Sequence, residues 1–273
     1  MTREQERARA RRRAQKFDAK LAQKEREAAR NRQAGVVVVA VLVVVAAFVF
    51  LSLRLGKQAT PIAGQSPSAS ATSSASPTSA SVAGCTPAPA TPKAVKTQGL
   101  PAKSTAAGKT FTAVLTTNCG DITIRLDGAK APQTVASFVS LARSGYFAAS
   151  PCHRLTTQGI YVLQCGDPMG GTGTGPGYSY GIENAPKTGK YPAGTVAMAR
   201  TSDPNSNADQ FFLVYKDSEL PTAGGGYSIF GTVTGGMDIV EKIAAAGVAG
   251  GSGDGPPAAP ISILKVAVTE KKA

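Results

Sequence analysis

The sequence predicts a mainly β domain, an antiparallel barrel closed by two α-helices, preceded by one transmembrane helix and a disordered linker. Three observations carry this. Residues 34–53 form an uncharged apolar run. Between Pro61 and Pro92, twenty-six of thirty-two residues are Ser, Thr, Ala or Pro. From Lys109 onward, short β-forming stretches alternate with Gly- and Pro-containing turns, and only two stretches carry helical spacing.

Residues 1–33 are a tail with twelve Lys or Arg against five acidic residues. Its composition suits either a solvated helix on a membrane surface or a disordered chain. The twenty residues from Ala34 to Leu53 are mainly Val, Ala, Leu and Phe. At about 1.5 Å per residue they cover roughly 30 Å, one bilayer core. The run is longer than the apolar core of a cleavable signal peptide and is followed by Arg54 and Lys57, as in an uncleaved signal anchor. The positive-inside bias then places the tail in the cytoplasm and the rest outside a single-pass membrane segment. The formal charge of +13 invites a nucleic-acid partner. From Lys109 to the end, however, thirteen basic residues face twelve acidic ones, so the basicity lies outside the domain and nucleic acid is excluded as its partner.

Residues 54–108 read as a linker. Its composition buries too little apolar surface to offset chain entropy, and as a flexible coil it spans roughly 40 Å.

The domain, 109–273, opens with strands at Phe111–Thr116 and Asp121–Leu126 around an Asn118-Cys119-Gly120 turn. A helix begins at Ala131-Pro132, with Val135, Phe138 and Leu141 on one face, and ends at Gly145. A hairpin follows, with arms at 152–155 and 161–165 joined by Thr156-Thr157-Gln158-Gly159. Then come a Gly/Thr loop at 170–177, strands at 195–199, 210–214 and 228–233, a short helix at 237–246 and a last strand at 261–269. The hairpin organises the function. It brings Arg154 beside Gln164 on a surface that also carries Tyr161, Val162 and Leu163. Neither polar group is a nucleophile or proton shuttle; both are rigid hydrogen-bond partners, suited to holding a substrate rather than attacking it.

The domain resembles the cyclophilin-type peptidyl-prolyl cis-trans isomerases. The resemblance rests on His153-Arg154, Leu163-Gln164-Cys165-Gly166-Asp167, Gly173-Thr174-Gly175, Val196-Ala197-Met198-Ala199-Arg200, Asp209-Gln210-Phe211-Phe212-Leu213 and Ile229-Phe230-Gly231-Thr232-Val233, in the family's order. It implies an eight-stranded antiparallel barrel with two helical caps and no cofactor. It implies catalysis by Arg154, with Gln164 holding the guanidinium and a bound backbone. Tyr161, Val162, Phe212 and Leu220 match the pocket for the proline ring. Gln210, Ala199 and Arg200 match the groove for the peptide backbone, and Tyr227 takes a groove position often held by His. The partners implied are proline-containing peptides and unfolded extracytoplasmic proteins. Leu220 stands where many members carry Trp, so binding of cyclosporin, the family's characteristic ligand, is expected to be weakened.

Other function classes fare less well. A non-catalytic surface chaperone or adhesin that holds proline peptides is the alternative, and the presence of both Arg154 and Gln164 favours the enzyme. No His/Cys spacing supplies a metal site around the single His153. No Gly-Lys-Ser/Thr follows the glycine loop, and no paired carboxylates or activated nucleophile mark a hydrolase. The four cysteines allow three full pairings. Cys152 and Cys165, on opposite arms of the hairpin, are placed to bridge, with packed thiols as the alternative; Cys85 with Cys119 is then the remaining pair. Phe211 and Phe212 face opposite sides of one strand, so one belongs to the core and the other to the pocket.

Overall fold

A computed structural model describes residues 82–271. The basic tail, the proposed membrane segment at 34–53 and the linker up to residue 81 lie outside the described residues. In chain order the elements are β1 (Thr110–Thr117), β2 (Gly120–Asp127), α1 (Pro132–Arg143), β3 (Ser150–Pro151), β4 (Arg154–Thr156), β5 (Val162–Cys165), β6 (Lys190–Tyr191) and β7 (Thr195–Met198). They continue with β8 (Phe211–Val214), β9 (Ser218–Glu219), β10 (Ile229–Gly235), α2 (Met237–Ala245), β11 (Asp254–Gly255) and β12 (Ser262–Glu270).

Alternation drives the long strands together. In β1, Phe111, Ala113 and Leu115 point inward; in β2, Ile122, Ile124 and Leu126 do so. β2 pairs with β1 through a tight turn in which Gly120 takes a positive φ of 119°. Gly231 of β10 allows close approach to β2, since a Cβ there would meet the Arg125 carbonyl oxygen at 2.8 Å.

Helix α1 has Pro132 in its first turn and no side-chain cap of its own. The Glu183 carboxylate fills that role from fifty residues away, accepting from the Gln133 and Thr134 N–H groups at 3.0 and 2.8 Å. The helix buries Val135, Phe138 and Leu141 against the sheet. There Phe138, Phe147, Phe211 and Phe230 form a packed aromatic cluster, with ring centroids 5.2 Å apart for Phe138–Phe147 and 6.4 Å for Phe211–Phe230. Val240 and Ile243 of α2 join the same core.

Among the described residues the main sheet has ten strands, in the order β11-β4-β5-β8-β7-β10-β2-β1-β12-β3, with a separate β6–β9 pair. This corrects the expected eight-stranded closed barrel. The sheet is a curled half-barrel with two edges. Its eight inner strands are flanked by β11 and β3, each only two residues long. A two-residue strand has no periodicity to read; backbone pairing alone reveals it.

Residues 82–108, within the stretch read as linker, run along the domain. Val82, Cys85 and Val95 pack against the core, and Ala106 is buried. Cys85 is disulfide-bonded to Cys119 in the β1–β2 turn, and the Thr86 N–H donates to the Asn118 carbonyl at 2.7 Å. Farther on, the Gln98 N–H donates to the Pro176 carbonyl at 2.7 Å. One covalent bridge and scattered backbone bonds hold this segment, so its composition carries no amphipathic signal.

Candidate active site

Strand register builds the site. Arg154 pairs with Gln164, Gln164 with Phe212, Phe212 with Ala197, and Ala197 with Ile229, giving one row across β4, β5, β8, β7 and β10. Directly paired residues share a face of the sheet, with neighbouring strands about 4.8 Å apart. One end of the row is therefore polar and the rest apolar.

At the polar end the Arg154 guanidinium is clamped on two sides. Its Nε and Nη2 donate to the two oxygens of Asp254, both at 2.8 Å, and its Nη1 donates to Gln164 Oε1 at 3.1 Å. Three of five N–H groups are engaged, leaving one on each terminal nitrogen for a ligand. Gln164 Nε2 donates to Gln210 Oε1 at 2.8 Å, and Gln210 Nε2 donates to Asp167 Oδ2 at 3.3 Å. The Arg154 guanidinium can only donate, so it sets the direction of this chain: each amide turns its oxygen toward Arg154 and its N–H toward buried Asp167. Asp167 also accepts from the Met169 and Gly173 N–H groups at 2.8 Å, tying the glycine-rich loop to the same chain.

The apolar end is a compact cluster of Val162, Tyr191, Ala197, Phe212, Val214 and Leu220, with Ile160, Ala199, Tyr227 and Ile229 packed on it. Alternation separates it from the main core: Phe211 lies in the core and Phe212 in this second cluster. The Phe212 and Tyr227 rings meet edge-on at 5.8 Å, and Arg200 lies over Tyr227 at 4.9 Å. Arg200 also donates to the carbonyls of Gly226, Thr201 and Ala223, so it braces the loop that carries Tyr227. Tyr161 is placed differently: its ring packs edge-on against Tyr215 at 5.9 Å, under Lys216. Between the polar chain and the glycine-rich loop lies a cavity of about 170 Å³, lined by Gln164, Gly173, Ala199, Arg200, Asp209 and Gln210 among others. A larger cavity of about 430 Å³, between residues 92–98 and the end of α1, is lined by none of the residues of this row.

Electrostatics follow from these contacts. Its hydrogen bond to Asp254 raises Arg154 above its ordinary value, and the same bond holds Asp254 below the usual carboxylate range. Burial lowers His153, whose Nδ1 is buried without a partner. Burial, aided by the charge of Asp167, pushes Asp209 up to about 6, while the Tyr146 hydroxyl donates to it at 2.7 Å. Cys152 and Cys165 are disulfide-bonded inside the core, one on each side of the site hairpin. Among the described residues no group of His, Cys, Asp or Glu is arranged to hold a metal ion.

Sequence reasoning missed Asp254, a hundred residues beyond Arg154 in a Gly-rich stretch with no motif. It also missed Tyr191, which sits at the bottom of the second cluster with its hydroxyl donating to the Tyr227 carbonyl at 3.0 Å.

The chain matches the family described as cyclophilin type peptidyl-prolyl cis-trans isomerase/CLD over residues 112–268. It belongs to the cyclophilins. Similar curated proteins include the probable peptidyl-prolyl cis-trans isomerases B of Mycobacterium tuberculosis, 45% identical over 204 residues, and Mycobacterium leprae, 45% identical over 199 residues. The alignments cover 67% and 66% of this chain but only 63% and 64% of those relatives' lengths. A peptidyl-prolyl cis-trans isomerase of Streptomyces antibioticus is 36% identical, with 55% of this chain and 92% of that protein aligned. Among solved structures, a Cryptosporidium parvum cyclophilin superposes with a TM-score of 0.51 at 26% identity, covering 60% of this chain and 99% of that one. A second structure of that cyclophilin, in the presence of the dipeptide Ala-Pro, gives 0.50 at 27% identity, with 59% and 99% covered. In this cyclophilin the matched region contains every residue of the polar chain: Arg154, Gln164, Asp167, Gln210 and Asp254 all fall inside it.

Proposed function

We propose that this cyclophilin domain is a peptidyl-prolyl cis-trans isomerase. The observation that carries the proposal is a guanidinium clamped by Asp254 and Gln164, with two N–H groups to spare, in one row with the apolar floor around Phe212. A prolyl amide resists rotation by about 20 kcal/mol because the nitrogen lone pair is conjugated with the carbonyl. Twisting frees that lone pair, and the nitrogen becomes a better acceptor. A fixed cationic donor near it favours the twisted amide over the planar one. The floor holds the proline ring while the preceding carbonyl rotates. Lowering the barrier by about 7 kcal/mol corresponds to roughly 10⁵-fold acceleration. The structure of the Cryptosporidium parvum relative in the presence of the dipeptide Ala-Pro supports a proline-containing peptide as ligand. Neither a covalent intermediate nor a cofactor is required.

The wider reading places the enzyme on the outer side of a cell membrane, anchored through residues 34–53 and acting on unfolded extracytoplasmic proteins. The basic tail before the apolar run supports that topology, and the pairing of all four cysteines suits an oxidising compartment. Leu220 in the floor supports weakened cyclosporin binding, since leucine lacks an indole N–H. The deciding experiment is a protease-coupled assay of the full-length chain, solubilised in detergent, on a short Ala-Ala-Pro-Phe peptide. Acceleration of the cis-to-trans step is expected. Binding of the peptide without acceleration would favour the alternative, a chaperone or adhesin that only holds proline peptides.

A further inference from the structure

We infer that Asp254 is a positioning residue for the reaction: its carboxylate fixes the plane of the Arg154 guanidinium, and the rate of interconversion, more than peptide affinity, depends on it. The inference rests on the isomerase function proposed above and assigns a role within that site.

The geometry of the pair is specific. Both carboxylate oxygens are used, one by Nε and one by Nη2, each at 2.8 Å. This is the two-pronged match of planar guanidinium to planar carboxylate, which fixes orientation as well as distance. Gln164 holds the remaining side through Nη1. An arginine side chain gives up much rotamer freedom when it is ordered. A donor that must meet a nitrogen lone pair only in the twisted state is effective when that ordering precedes the reaction.

The fold places Asp254 for this task. It lies on the edge strand β11, which pairs with β4 through Asp254 with Thr156 and Gly255 with Leu155. The Thr157 N–H donates to the Gly253 carbonyl at 2.8 Å, and the Ser252 hydroxyl donates to the Asp254 carbonyl at 2.8 Å. Val248, buried in the core, and two backbone bonds, Ala249 N–H to Pro256 and Ala258 N–H to Gly247, hold the loop around it. A loop rich in glycine is thus tied down at several points, and its one carboxylate meets the guanidinium. Asp254 itself is exposed, so replacing it removes no packing from the core.

The test uses the full-length chain in detergent with wild type, Asp254→Ala and Asp254→Asn. Exchange NMR on a proline peptide separates interconversion of bound peptide from affinity, and the Arg154 Nε–H signal reports guanidinium order. Asp254→Ala is expected to slow interconversion about fivefold, as for a partly exposed ion pair of good geometry, while affinity stays within about twofold. The Arg154 Nε–H signal should broaden or exchange rapidly. Asp254→Asn, which keeps one acceptor oxygen, should recover part of both. An Asp254→Ala chain with wild-type interconversion would overturn the inference. Should wild type itself fail to interconvert the peptide, the isomerase proposal falls, and an Arg154 Nε–H signal unchanged in Asp254→Ala would then refute the positioning role separately.

Discussion

Strands β5, β7 and β8 give opposite faces to two apolar clusters, and the contrast between the clusters separates folding from function. One face sends Leu163, Cys165, Val196, Met198, Phe211 and Leu213 into the main core, where both helices and the long strands β1, β2 and β12 close over them. The other sends Val162, Ala197, Phe212 and Val214 into a small cluster completed by Tyr191 and Leu220. The first is covered by both helices, the long strands and the coil segment that carries Val82, Cys85 and Val95. The second is covered by loops and ends in a polar row, Gln164 and Arg154. Single residues on one strand therefore divide between clusters: Phe211 belongs to the main core, and Phe212 to the floor of the proposed site.

Substitution at those two neighbours gives the widest expected separation. Phe211→Ala should lower stability by about 3–5 kcal/mol, since the surrounding rings cannot collapse into the space. Phe212→Ala should cost less, at the low end of that range, about 3 kcal/mol, and should also weaken peptide binding. Urea unfolding with parallel peptide titration checks both; equal losses of stability with unchanged affinity for Phe212→Ala would erase the distinction.

The hairpin disulfide stands next in size. Cys152 and Cys165 are thirteen residues apart, and replacing both by Ser should lower stability by about 3 kcal/mol. Because the bridge flanks Arg154 and Gln164, interconversion should slow as well. Thermal melts beside the protease-coupled assay measure the two effects.

The smallest effect lies at the seam between core and groove. Asp209 rises from an ordinary 3.8 to about 6 in the folded chain, chiefly through burial. The folded state thus binds the proton more tightly than the unfolded one. Asp209 therefore contributes stability below about pH 4 that is lost as pH rises to about 6, at most about 3 kcal/mol. Asp209→Asn should flatten stability across that window and stabilise the chain at pH 7. Exposed Asp254, held low by Arg154, works in the opposite sense: its contribution is present above the ordinary carboxylate range and is lost as pH falls through its lowered value. Urea midpoints from pH 3 to 8 resolve the two.

What could be read from the sequence tracks how local the signal is. β1 and β2 alternate cleanly over eight residues each, and α1 shows a proline start and one apolar face, so all three fall within two residues of the expected bounds. Arg154 and Gln164 lie on two arms of one hairpin, and Gln210 and Phe212 in one short run, which made the row legible. β3, β6, β9 and β11 have two residues each and no pattern. Asp254 reaches the site through the β11–β4 pairing and Tyr191 through the separate β6–β9 pair, both set by contacts distant in sequence. The segment from Val82 to Gly108 reads as Pro- and Ala-rich coil, yet the Cys85–Cys119 bridge and backbone bonds lay it on the domain.

The most direct test of the division between chemistry and binding is exchange NMR on a cis/trans proline peptide with wild type and a correctly folded Arg154→Ala chain. Removing a positioned cationic donor costs roughly 3–4 kcal/mol in comparable sites, about 10² to 10³ in rate. The expected result is that interconversion of bound peptide slows by that factor while affinity, set by the Phe212 floor, changes little. Interconversion at the wild-type rate in Arg154→Ala would contradict the account.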